Sequence, residues 1–182
     1  LVLAMFENGF SAAAREKLIE IAAKNIRNGG LFEWDTKDGS GRGSDDYAGS
    51  AGSLARALYE GYFGFALGEK SLDLEPKLGE DEGRVHIHLP SSGLFAALDY
   101  RPVKSERKIL FRYESNFTGQ GKVRLLIPWT FFGVSEPGNG RKELEVRRDG
   151  LEVPFHLEKR LQDEFVVVAT DFKGHTLEIK SK

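Results

Sequence analysis

The sequence predicts an α+β chain in two parts, a helical part over residues 1–69 and an antiparallel β-sandwich over residues 70–182. The period of the apolar residues changes near Gly68–Ser71, from helical spacing before it to alternation after it. Beyond the change, seven or eight short strand patterns follow one another with no helix pattern between them, separated by Gly, Pro, Asn and Asp. At 182 residues, 40% apolar and 30% charged, the composition is that of a folded globular protein.

Leu1 to Phe6 reads as the tail of an apolar helix whose start lies upstream. It has no basic flank and soon meets Glu7, so it is a poor signal peptide. Ser11 is placed to cap a helix over residues 11–28. Leu18, Ile19, Ala22, Ala23 and Ile26 form its apolar stripe, and Gly29-Gly30 supplies a left-handed stop. Residues 31–47 have no period and read as a loop rich in glycine and aspartate. A second helix is expected from about Ser50 to Leu67, small or apolar on nearly every face, a pattern that belongs inside a larger helical body. Two and a half helices cannot bury two such faces alone, so further helices are expected before Leu1.

The strand candidates are residues 85–89, 95–98, 108–113, 122–127, 144–146, 165–169 and 175–179. Pro137-Gly138-Asn139-Gly140 and Asp149-Gly150 are the clearest turns between them. His86 and His88 fall on one strand face, as incidental surface histidines more readily than as metal ligands. Trp129, Phe131 and Phe132 read as core or packing surface before they read as a stacking platform for sugar. Asn116-Phe117-Thr118 fits an N-glycosylation acceptor, a triplet frequent by chance.

Charge and composition exclude several function classes. Residues 1–69 carry 7 basic and 10 acidic side chains, and residues 70–182 carry 19 and 18. The net −2 gives no electrostatic case for nucleic acid or an anionic membrane. Cysteine is absent, which removes disulfide and thiolate chemistry and leaves the compartment open. No segment reaches the roughly 18 apolar residues of a membrane span. Asp35, Asp38, Asp45 and Asp46 do not follow the spacing of a calcium loop and read as solvated acids. Gly39-Ser40-Gly41-Arg42-Gly43 lacks the strand and the Lys-Ser/Thr of a nucleotide loop.

The chemistry concentrates at residues 29–52. Glu33 stands beside Trp34 at the mouth of the glycine-rich loop, and an acid, an aromatic face and a polar loop are what a sugar site requires. Gly-Gly-Leu-Phe-Glu-Trp, the loop, and then Tyr-Ala-Gly-Ser-Ala-Gly-Ser-Leu-Ala-Arg-Ala-Leu-Tyr-Glu-Gly-Tyr-Phe-Gly-Phe resemble the last hairpins of (α/α)6-barrel glycoside hydrolases. The pattern is similar to that of the trehalase and family 63 processing α-glucosidase group. Amylo-α-1,6-glucosidase-like debranching enzymes and the maltose and cellobiose phosphorylases end in a similar helix. The likeness covers about residues 1–70.

The resemblance implies the C-terminal helices of an (α/α)6 barrel followed by an antiparallel β-sandwich. It makes the chain the end of an inverting hydrolase of α-glucosides or related oligosaccharides, with a carbohydrate as substrate. Glu33 would be the general base and Trp34, Tyr47 and Ser50 would contact substrate. The catalytic acid would come from the N-terminal part of the same barrel, and no metal or organic cofactor is implied. The trehalase-like group carries a Gly-Trp-Thr-Asn-Gly type segment where this chain has Gly49-Ser50-Ala51-Gly52. That departure leaves the sugar open, together with two alternatives: a disaccharide phosphorylase and a non-catalytic carbohydrate-binding or scaffold module.

Overall fold

A computed structural model describes residues 1–67, 72–133 and 144–182. The expected boundary at Gly68–Ser71 and the expected turn at 137–140 lie outside the described residues. The chain opens with helices α1 (Val2–Glu7) and α2 (Ser11–Asn28), and α2 closes on Gly29 at φ 75° as expected. Ser11 departs from its expected role. It is the first helical residue, and the cap comes from 152 residues away: Asp163 accepts the Ser11 N–H at 3.1 Å and its hydroxyl at 2.5 Å. An acidic oxygen at this point satisfies an otherwise orphaned helix donor.

The loop that follows holds a two-residue ribbon, β1 (Trp34–Asp35) against β2 (Gly41–Arg42). Helix α3 (Ala48–Arg56) then runs into a π-helical turn over Ala57–Tyr62. The expected helix to Leu67 therefore ends five residues early, and residues 65–67 form β3 (Phe65–Leu67). The break is at Gly64, which sits at φ +69°, where a Cβ would lie 1.9 Å from the Glu75 carbonyl oxygen. Only glycine allows that approach, and it lets Gly64 accept the Glu75 N–H at 2.7 Å. Phe65 is thereby delivered into the sheet core at 1% exposure.

The remaining strands are β4 (Leu72–Leu74), β5 (Gly83–Leu89), β6 (Leu94–Val103), β7 (Lys108–Ser115), β8 (Gln120–Leu126), β9 (Leu144–Arg148), β10 (Leu151–Glu152), β11 (His156–Arg160), β12 (Asp163–Asp171) and β13 (His175–Ser181). A four-residue helix, α4 (Trp129–Phe132), follows β8. One sheet has the order β10-β9-β13-β7-β6-β5 and the other β11-β12-β8-β4-β3. Their strand pairs are antiparallel except β4 with β8. Every strand pattern read from alternation is a strand, while β3, β4, β10 and β11 were too short or too polar to show one. The architecture is α+β, mostly antiparallel sheet with few helices, and no (α/α)6 barrel is formed by the described residues.

Alternation puts Ile109, Phe111 and Tyr113 of β7, and Val123 and Leu125 of β8, into one apolar core shared by the two sheets. In α4, Phe132 is buried and Trp129 and Phe131 pack against that core. The aromatic cluster is thus packing surface, with the Trp129 N–H donated to Glu164 at 2.8 Å. A second, smaller core of Val2, Phe6, Ala14, Leu18 and Ala57 holds the helices together, and Tyr62 packs against both cores.

The apolar stripe of α2 is only partly used. Leu18 is buried, but Ile19 and Ile26 are 51% and 82% exposed, and α3 buries no residue.

Candidate functional site

The loop between α2 and α3 is pinned at several points despite its glycine content. Leu31 donates its N–H to the Asp45 carbonyl and accepts that of Tyr47, both at 2.9 Å, which closes the base. Lys24 of α2 pairs with Asp35 at 2.9 Å, and the Asn28 amide donates to the Gly39 carbonyl at 3.0 Å. At the tip, the Asp38 carboxylate accepts from the Thr36 hydroxyl, from the Ser40 N–H at 3.0 Å and from the Ser40 hydroxyl at 2.8 Å. These bonds, that from Thr36 foremost, hold Asp38 far below the ordinary carboxylate range. Asp35 and Asp38 stay exposed, as their reading as solvated acids expects, and they also brace the loop.

The glycines make the ribbon close-packed. Phe32 turns inward over Gly41, where a Cβ would meet its ring at 2.0 Å. At Gly43, φ +82°, a Cβ would lie 2.7 Å from the Glu33 Cβ, 2.8 Å from its Oε2 and 3.0 Å from the Trp34 ring. Glu33 and Trp34 are consequently held side by side against one backbone segment and face solvent, Trp34 at 55% exposure. Among the described residues, no cation or hydrogen-bond donor engages the Glu33 carboxylate.

Tyr47 is 40% exposed and folds its ring over Gly49. Ser50 sits differently from a pocket-lining residue: its hydroxyl donates to the Phe32 carbonyl at 2.8 Å, fixing the residue before Glu33. The four expected residues thus belong to one loop assembly, three of them presented to solvent and Ser50 bracing it. Sequence reasoning passed over Lys24 and Asn28. Both sit on the last turns of α2, and their helical spacing from the loop was the only sign of their role.

The histidine pair of β5 is exposed, and His86 packs edge-on against Phe95 at 5.6 Å. Among the described residues, no group of three or more His, Asp or Glu side chains is arranged to hold a metal. The Asn116 amide is engaged on both sides, accepting the Phe95 N–H at 2.7 Å and donating to the Gly93 carbonyl at 2.9 Å.

With this geometry in view, known proteins supply a fold. An α-L-rhamnosidase from Dictyoglumus thermophilum superposes with a TM-score of 0.53 at 11% identity, covering 82% of this chain and 18% of that one. Residues 70–182 amount to only 113 of 182 residues, so the match reaches into the helical part as well. The chain shares the fold of the matched part of the rhamnosidase. A GH127 β-L-arabinofuranosidase from Geobacillus stearothermophilus T6 gives 0.45 at 12% identity over 73% of this chain and 18% of that one. A GH31 dextranase from Flavobacterium johnsoniae gives 0.39 at 8% identity, over 62% and 17%. The chain spans less than a fifth of each of these proteins. No protein-family profile matches it, and no curated protein does.

Proposed function

We propose that the chain is the C-terminal end of an inverting glycoside hydrolase, with Glu33 as the general base. In this reading residues 1–69 are the last hairpins of an (α/α)6 barrel of the trehalase and family 63 kind, and residues 70–182 an appended β-sandwich. Further helices of the same barrel cover the open faces of α2 and α3 and supply the acid. The observation that carries the reading is the Glu33–Trp34 pair, presented to solvent on a ribbon that Gly43, Ser50, Lys24 and Asn28 hold in place.

Inversion needs a carboxylic acid to protonate the leaving oxygen and a carboxylate about 6.5–9.5 Å away to activate water on the opposite face. Glu33, exposed and engaged by no cation among the described residues, suits the second role. Trp34 offers an apolar face to sugar C–H groups and Tyr47 a second ring near the same mouth. Ser50 acts through the backbone, holding the Phe32–Glu33 peptide.

Two assays test the proposal. The purified 182-residue chain is expected to release no product from aryl α-glucosides or from aryl α-L-rhamnosides, since one carboxylate cannot complete the inversion. In the longer protein, Glu33→Gln is expected to lower kcat by about 10²–10⁴-fold with KM little changed. Turnover by the chain alone, or full activity of the Gln variant, defeats the assignment. Retained glycan affinity with no activity in either form would mark a binding module instead.

A further inference from the structure

An open cleft lies on the outer face of the five-stranded sheet, remote from the Glu33 loop. Leu72 and Leu74 of β4 and Val123 and Leu125 of β8 point into the core, so Asp73 and Arg124 must face the other way. Together with Glu75, Lys77 and Arg160 they line a cleft of about 700 Å3 roofed by the end of α3 and its π-helical turn. A separate hollow of about 400 Å3, sharing Glu60 and Phe65 with the cleft, is lined by Tyr59, His86 and His88. Tyr59 lies eleven residues beyond the start of α3, about 17 Å along a helix axis from the loop.

We propose that this cleft binds an uncharged oligosaccharide, independently of the Glu33 loop. Its size suits a short sugar chain. Its charges cancel: Arg56, Lys77, Arg124 and Arg160 are set against Glu7, Glu60, Asp73 and Glu75. Each cation is already paired. Arg56 meets Glu60 at 2.8 Å, Lys77 meets Glu75 at 3.0 Å, Arg160 meets Glu75 at 2.7 Å and Glu158 at 2.6 Å, and Arg124 meets Glu158 at 3.2 Å and Asp73 at 3.5 Å. With Glu158 also on Arg124 and Arg160, no positive excess is left to capture an anion. Fixed guanidinium N–H groups alternating with carboxylate oxygens complement vicinal hydroxyls, which donate and accept at once.

The apolar component is Tyr59, 41% exposed in the adjoining hollow, where its ring is open to stacking on a sugar. The π-helical turn that presents Tyr59 and Glu60 is a distortion often found at functional sites. The site does not rest on the catalytic reading of Glu33, and its test keeps the two apart.

The experiment is an amide NMR titration of the 182-residue chain with maltotriose, cellotriose and xylotriose, and with trigalacturonate as the charged counterpart. At least one neutral trisaccharide is expected to shift the amides of Tyr59, Glu60, Asp73 and Arg124. Tyr59→Ala, a surface change that should leave the fold intact, is expected to weaken that binding about tenfold. Glu33→Gln is expected to leave it unchanged. The proposal fails if none of the three neutral sugars binds, if trigalacturonate binds more tightly than they do, or if the shifts centre on Trp34 and Tyr47.

Discussion

Single residues in this chain act largely through what their neighbours cannot be. Gly43 has a positive φ and touches both Glu33 and Trp34, so Gly43→Ala must strain the backbone and push one of them aside. The expected result is a shifted or broadened indole N–H resonance for Trp34, with that of Trp129 unmoved, and a loss of about 1 kcal/mol or more in the ordering of the loop. Asp163 is the opposite case, a residue needed for what it accepts. Asp163→Ala leaves the buried Ser11 N–H and hydroxyl without their partner, and urea unfolding should show a loss of about 1–3 kcal/mol. Asp163→Asn, which keeps an acceptor oxygen, should lose less. Glu33 and Trp34 could be singled out as candidates because an acid stands beside an aromatic in a glycine-rich loop. Asp163 could not, because nothing local to Ser11 points to a residue 152 positions away.

At the scale of elements, alternation exposed the long strands because each has one face in the common core. It failed for Phe65–Leu67, where a helical pattern runs straight into a strand and Gly64 alone marks the change. It could not show β10 or β11 either. Leu151–Glu152 is too short to alternate, and His156–Arg160 lies at a sheet edge with little buried surface.

One tie between elements depends on pH. His175, at the start of β13, donates through Nδ1 to Asp149 and through Nε2 to Asp171, both at 2.6 Å, joining the β9–β10 turn to the end of β12. Only the imidazolium carries a proton on both nitrogens. Burial works against that charge, but the bonds to Asp149 and Asp171 outweigh it and raise the ring above its ordinary 6.5. Asp149 is held low by the Thr176 N–H and then by His175, and Asp171 by His175 and then by the Lys173 N–H, with Arg148 also facing Asp149. The histidine contribution is therefore whole below about 6.5 and is lost as pH rises through the raised value. The aspartate contributions are whole above about 3.9 and are lost as pH falls through the lowered values. Thermal melts should show the gap in Tm between wild type and His175→Asn at its widest near pH 5–6, closing toward pH 9.

For the whole molecule, the question is how a small helical core stays attached to a larger sheet core. Five buried residues cannot sustain a helical unit alone, so α1, α2 and α3 depend on the sheets for their order. The join is polar as well as apolar. Asp81 accepts two bonds from the Arg15 guanidinium and one from the Tyr62 hydroxyl at 2.6 Å, while Gly9 accepts the Gln162 N–H at 3.1 Å. Burial, and then the bond to Asp81, push the Tyr62 hydroxyl well above its ordinary value, so the tie persists across the working pH range. Arg15 and Asp81 are 40% and 32% exposed, and solvent limits what their pairing contributes to about 1 kcal/mol. Asp81→Ala should accordingly loosen the join without melting the sheets. Amide exchange in α1 and α2 is expected to quicken by several-fold, up to about tenfold, while the amides of β7, β8 and β12 keep their protection. Equal acceleration in helices and strands would instead mean that both cores open together, and the helical part could not then be treated as a separately docked unit.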